Sequence, residues 1–176
     1  MITHSARGVS LAAALFALAG CEESDDLTAR GEVTATLDGA STGFSLDHGH
    51  WREAPRAHAS LGRVTGDCSM RRVANADGQT SWGVIVSIRR GGEVDESRLA
   101  SMTIMQRSDS RAEDGRVEAE LGMTRFVSRN RCSVEMNYAD AEGGMVGLTS
   151  QCEVADAAGN AARVTVELEI MGCDVV

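Results

Sequence analysis

From Gly31 onward, apolar and polar residues alternate along most of this 176-residue chain. In residues 31–39, GEVTATLDG, Val33, Ala35 and Leu37 fall on one face, with Glu32, Thr34 and Thr36 on the other. A period of two marks a half-buried strand, because successive side chains of an extended chain point to opposite faces. Asp38-Gly39 is a hairpin turn signal, and Phe44 and Leu46 resume the alternation beyond it. The pattern recurs in residues 64–70, 82–88, 117–121, 132–138 and 146–154. It is clearest near the end, where Val164, Val166, Leu168 and Ile170 alternate with Thr165, Glu167 and Glu169. Short strands separated by Gly, Asn and Asp turns predict an all-β fold, an antiparallel β-sandwich or barrel of about eight strands. One segment, residues 96–106, fits either a strand or a short helix with Leu99, Met102 and Met105 inward.

The first twenty residues follow a different rule. His4 and Arg7 make a weakly basic start, and residues 8–19 are uncharged and mostly apolar. That run is shorter than the roughly 20 residues a membrane-spanning helix needs, and it suits the apolar region of a signal peptide. Leu18-Ala19-Gly20-Cys21 resembles the lipobox of bacterial lipoprotein precursors. The resemblance implies cleavage before Cys21, a diacylglycerol on its thiol and, in many bacteria, a further acyl chain on the new amine. Two or three acyl chains anchor stably where one binds marginally. Glu22 stands where enteric lipoproteins retained at the inner membrane carry Asp, so the outer membrane is favoured in a diderm cell. The expected organisation is a signal peptide over 1–20, a lipidated Cys21 with an acidic tether over 21–30, and one β-sandwich domain over 31–176. The expected location is a bacterial membrane, with the domain facing outside the cytoplasm.

Without its first twenty residues the chain has 156, enough for one domain with a real core. Losing Arg7 leaves 16 of the 17 basic residues, all Arg, against 26 acids, a net charge of −10. This balance argues against nucleic acid, whose phosphates need a cationic face.

With Cys21 lipidated, Cys68, Cys132, Cys152 and Cys173 remain, and an even number in an exported chain reads as two disulfides. None sits in the C-x-x-C spacing of a zinc site. If Tyr138 faces Val146 across a hairpin, then Met136 faces Leu148 and Cys132 faces Cys152 on the apolar side. The following hairpin, turning at 156–160, places Cys173 near Gly144 and far from Cys152. By elimination Cys173 bonds Cys68. Val64-Thr65-Gly66-x-Cys68, with a closing VELEI strand and a terminal cysteine, is also similar to the layout of small mycobacterial lipoprotein antigens. That similarity implies a sandwich-like domain with an early strand tied to the C-terminus, and no enzyme activity.

The best candidate for chemistry is Asp47-His48-Gly49-His50 with His58 eight residues on. Imidazoles two apart on a strand share a face, and a third His with a carboxylate could complete a metal shell. The same residues also read as a polar turn. Residues 109–115 do not supply the alternating oxygens of a calcium loop. Asp95, Glu96, Glu113 and Asp114 read as solvated loop acids. The chain has six aromatic residues; Trp82 falls on an apolar strand face and Trp51 is the one expected to be exposed. The expected function is that of a non-enzymatic, lipid-anchored binding or envelope-interaction domain without a cofactor, whose partner is a protein or a glycan. The alternative is a metal-binding module or metal-dependent enzyme centred on His48, His50 and His58.

Overall fold

A computed structural model describes residues 27–50, 64–75, 78–91 and 98–176, without the side chains of residues 47–50, 65, 130 and 131. The strands are β1 (Thr28–Leu37), β2 (Ala40–His50), β3 (Val64–Ala74), β4 (Thr80–Arg90), β5 (Leu99–Arg107), β6 (Arg116–Leu121), β7 (Thr124–Asp140), β8 (Met145–Ala155), β9 (Ala161–Met171) and β10 (Asp174–Val175). A 3-10 turn, Ala112–Asp114, precedes β6. Among the described residues there is no α-helix.

All ten strands belong to one sheet in the order β10-β3-β4-β5-β6-β7-β8-β9-β1-β2. Neighbours are antiparallel except β10, which runs parallel to β3. The sheet curls into a half-barrel. This corrects the expected sandwich or barrel of about eight strands. Alternation identifies strands and their inner faces, but it carries no signal for whether a sheet splits in two or curls over itself. The inward residues form one core, with Val33, Val86, Ile104, Val134, Val164 and Ile170 fully buried.

The ambiguous segment is strand β5, with Leu99, Met102, Ile104 and Gln106 buried. A bulge between Leu99 and Ser101 inserts one residue, and the resulting three-residue step imitates a helical spacing. β1 starts at Thr28, inside the segment read as tether, because Leu27 and Ala29 extend the buried odd-numbered face of Val33 and Ala35. The Asp38-Gly39 turn is as expected, with φ of 51° and 81°, the left-handed values of a I′ hairpin.

Met136 faces Leu148 and Cys132 faces Cys152, as the hairpin register required. Tyr138 does not face Val146; it faces Gly147, and Ala139 takes the place opposite Val146. The cause is a bulge between Met136 and Tyr138, which reverses the alternation and turns Tyr138 outward to 41% exposure. The disulfides are Cys132–Cys152, between facing strands with Cα atoms 3.9 Å apart, and Cys68–Cys173. Cys173 donates its N–H to the carbonyl of Gly144 at 2.9 Å, the position expected from the β8–β9 register. β10 then hydrogen-bonds β3, so the chain leaving β9 crosses directly to an early strand.

At the other end of the strand order, β2 is held against β4 and β5. Arg90, 6% exposed, donates from Nε to the carbonyl of Leu99 at 3.2 Å and from Nη2 to the carbonyl of Gly43 at 3.0 Å. Its guanidinium lies 5.1 Å from the centre of the Phe44 ring. Leu99 N–H donates to Thr42 Oγ1 at 3.2 Å. These contacts fasten two strands that are far apart in the sheet order.

Candidate functional site

The outward face of β7, β8, β9, β1 and β2 carries a polar groove whose rows follow from strand register. One row runs Ser45, Glu32, Glu167, Thr149, Glu135 across the five strands. The next runs Thr34, Thr165, Gln151, Ser133. A third runs Arg30, Glu169, Gly147, Tyr138. Apart from Tyr138, turned out by the bulge, and Gly147, buried beneath its ring, each residue reaches the surface because its sequence neighbours point into the core. Two adjoining depressions of about 430 and 650 Å³ follow these rows and share Glu32, Thr149 and Glu167. Both volumes fall within the span of roughly 300–1,000 Å³ common to small-molecule sites.

Within the groove, Thr34 and Thr165 share a hydrogen bond of 2.7 Å between their hydroxyls. Arg30 pairs with Glu169. Glu32 and Glu167 stand directly opposite each other in adjacent strands, an arrangement in which like charges repel. Tyr138 lays its ring over Gly147: a Cβ on that glycine would come 2.4 Å from the ring, so the flat placement needs glycine beneath it. Partial burial, with the Glu169 carboxylate nearby, raises the Tyr138 hydroxyl above its ordinary pKa and keeps it a hydrogen-bond donor. The lining residues offer hydroxyls, carboxylates, the side-chain amides of Asn137 and Gln151 and the Arg30 guanidinium, with no His, Cys or Lys among them. That chemistry suits hydrogen-bonded binding of a polar ligand, and the carboxylates favour one that is neutral or cationic.

Other polar clusters brace loops and strands. Arg107 binds Asp109 and Asn75, tying the end of β5 to the β3–β4 turn. Glu118 sits between Arg125 and Arg116, and the hydrogen bond from Arg125 lowers its carboxyl pKa more than the coulombic attraction does. Asp114 accepts the Arg111 N–H at 3.1 Å, so this acid caps the 3-10 turn.

Of the residues singled out from sequence, Cys68, Cys132, Cys152 and Cys173 are all disulfide-bonded. The backbone of Asp47, His48 and His50 lies in β2, while their side chains, together with Cys21, Trp51 and His58, lie outside the described part. Among the described residues no group of three or more His, Cys, Asp or Glu is placed to hold a metal ion. Trp82 is half-buried against the core. The groove was not legible as a site, because its residues read as the solvent side of ordinary alternation. Only the β1–β9 pairing, between strands more than a hundred residues apart, sets Glu32 beside Glu167.

The chain matches no protein-family model, no curated protein and no solved structure.

Proposed function

We propose that this chain is a lipid-anchored, extracytoplasmic binding domain that presents the polar groove to a partner in the cell envelope. The observation that carries the reading is the thiol inventory. The chain has five cysteines, and two disulfides use four of them. The one left over is Cys21, at the end of an apolar run and directly after Leu18-Ala19-Gly20. Closed disulfides fit an oxidising compartment outside the cytoplasm. The groove supports a binding role, since it combines ligand-sized concavity with hydrogen-bonding groups. Glu22 after the acylated residue favours the outer membrane in a diderm cell.

Metabolic labelling with a fatty acid tests this reading. The wild-type chain should take up label, and Cys21→Ser should remove it and leave uncut precursor, because the thiol is the acylation point. Label persisting on the Cys21→Ser chain overturns the reading.

A further inference from the structure

The point where the chain leaves the domain determines which end of the half-barrel faces lipid. β1 begins at Thr28, seven residues after Cys21. Seven residues reach at most about 24 Å when fully extended at ~3.4 Å each. Thr28 pairs with Met171 at the end of β9, and Met145 at the start of β8 pairs with Asp140 at the end of β7. The anchor therefore holds this end of four adjacent strands near the membrane surface.

The outward residues of these strands change character along their length. Away from the anchored end they are Thr, Ser, Gln, Glu and Arg: Thr34, Thr36, Arg163, Thr165, Gln151 and Glu153 among them. At the anchored end Met171 and Tyr138, 43% and 41% exposed, and the half-buried Met145 join Thr28, Arg30, Asp140 and Glu169 on the outward face. Tyr138 is the single tyrosine of the chain. A tyrosine with an apolar ring and a polar tip suits the headgroup level of a bilayer. Methionine side chains adapt to irregular apolar surroundings.

We propose that Tyr138, Met145 and Met171 form a membrane-contact surface that rests in the headgroup region of the bilayer holding the acyl chains. The proposal rests on the lipid-anchor reading and adds an orientation to it. The strands stand on the membrane at this end, and the groove opens sideways with its Thr34–Thr165 row farther from the lipid. Asp140 and Glu142 are exposed at the same end, so the surface fits zwitterionic headgroups better than anionic ones.

Methionine oxidation reads this contact in the full chain. Peroxide converts exposed Met to sulfoxide, and peptide mass spectrometry reports each site. Met123, 91% exposed in the turn before β7, lies at the opposite end of that strand and serves as the internal reference. The protein is placed in phosphatidylcholine vesicles, and its acylation is checked by intact mass. It is compared with a chain carrying a 20-residue Gly/Ser insertion after Asp26. With the native tether, the oxidation rate of Met171 relative to Met123 should be at least threefold lower than with the long tether. An acylated protein whose ratio is the same with both tethers overturns the orientation and leaves the lipid anchor standing. A protein without acyl mass overturns the anchor reading and the orientation with it.

Discussion

Arg90 shows how one residue can close a curled sheet. It is buried at the rim of the core, where burial and the nearby Arg98 both lower its pKa, yet it supplies donors to the carbonyls of Leu99 on β5 and Gly43 on β2. Replacing it with Met keeps much of the volume and leaves the carbonyls of Leu99 and Gly43 without these donors. Each orphaned buried group costs on the order of 1–3 kcal/mol, so Arg90→Met should destabilise the fold by about 2–4 kcal/mol in urea unfolding. Arg90→Lys should recover only part of the loss, because one ammonium lacks the fork that spans both acceptors. A change under about 0.5 kcal/mol for Arg90→Met would show that β2 holds its place without the clamp. Asp156 works at the opposite scale of cost, in the β8–β9 turn. Its carboxylate accepts the Asn160 N–H and Nδ2, both at 2.8 Å, and these bonds hold its pKa below the ordinary aspartate value. A carboxyl with a depressed folded pKa adds stability above its unfolded value, near 3.9, and that stability is lost as pH falls through the folded value. Asp156→Ala should therefore lower the urea midpoint at pH 7 and shrink the fall in midpoint between pH 5 and pH 2. An unchanged acid response in the variant would place the pH sensitivity elsewhere.

At the level of strands and hairpins, much of the fold was legible because the physics there is local. Asp38-Gly39 and residues 156–160 turn where their residue types allow it, and the inward faces of β6, β8 and β9 follow from strict alternation. Both disulfides were legible: register sets Cys132 opposite Cys152 and carries Cys173 away from that pair, and elimination leaves Cys173 for Cys68. What escaped reading was of two kinds. Bulges break the period without a sequence marker, which is why simple alternation puts Tyr138 on the apolar face and why the spacing in β5 also fits a helix. Pairings between distant strands, β1 with β9 and β10 with β3, depend on the curl of the whole sheet, and they create the groove. The two disulfides should differ in consequence for the same reason. Cys132–Cys152 spans 20 residues of a hairpin already held by ladder hydrogen bonds, so removing it by paired Cys→Ala substitutions should cost little. Cys68–Cys173 spans 105 residues and ties β3 to the end of β9, so its removal should cost up to about 4–5 kcal/mol in the chain-entropy account. Equal losses in urea unfolding would mean that the crossover is held by the β10–β3 hydrogen bonds and the core, with little help from the covalent tie.

Over the whole molecule, charge is not spread evenly on the curled sheet. The outward face of β3 to β6 mixes Arg71, Arg89, Arg107 and Arg116 with Asp67, Glu118 and Glu120, and the two signs nearly balance. The groove face carries Glu32, Glu135 and Glu167 beside the paired Arg30 and Glu169, and its balance is negative. Glu32 and Glu167 face each other across β1 and β9, and a neutral pair at that register would lack the like-charge repulsion of two opposed carboxylates. Glu167→Gln should therefore stabilise the isolated protein by about 0.2–1 kcal/mol at low ionic strength, the range of a single cross-strand pair. The gain should shrink toward zero as salt approaches 1 M, where the screening length falls to ~3 Å. Glu32→Gln should give the same gain, and the double variant should gain little more than either single one, because one substitution already relieves the repulsion. Urea midpoints of the three variants at low and high salt decide the matter. Additive gains, or a loss in either single variant, would mean that the two carboxylates do not sense each other and that the groove holds no stored repulsion for a cationic partner to relieve.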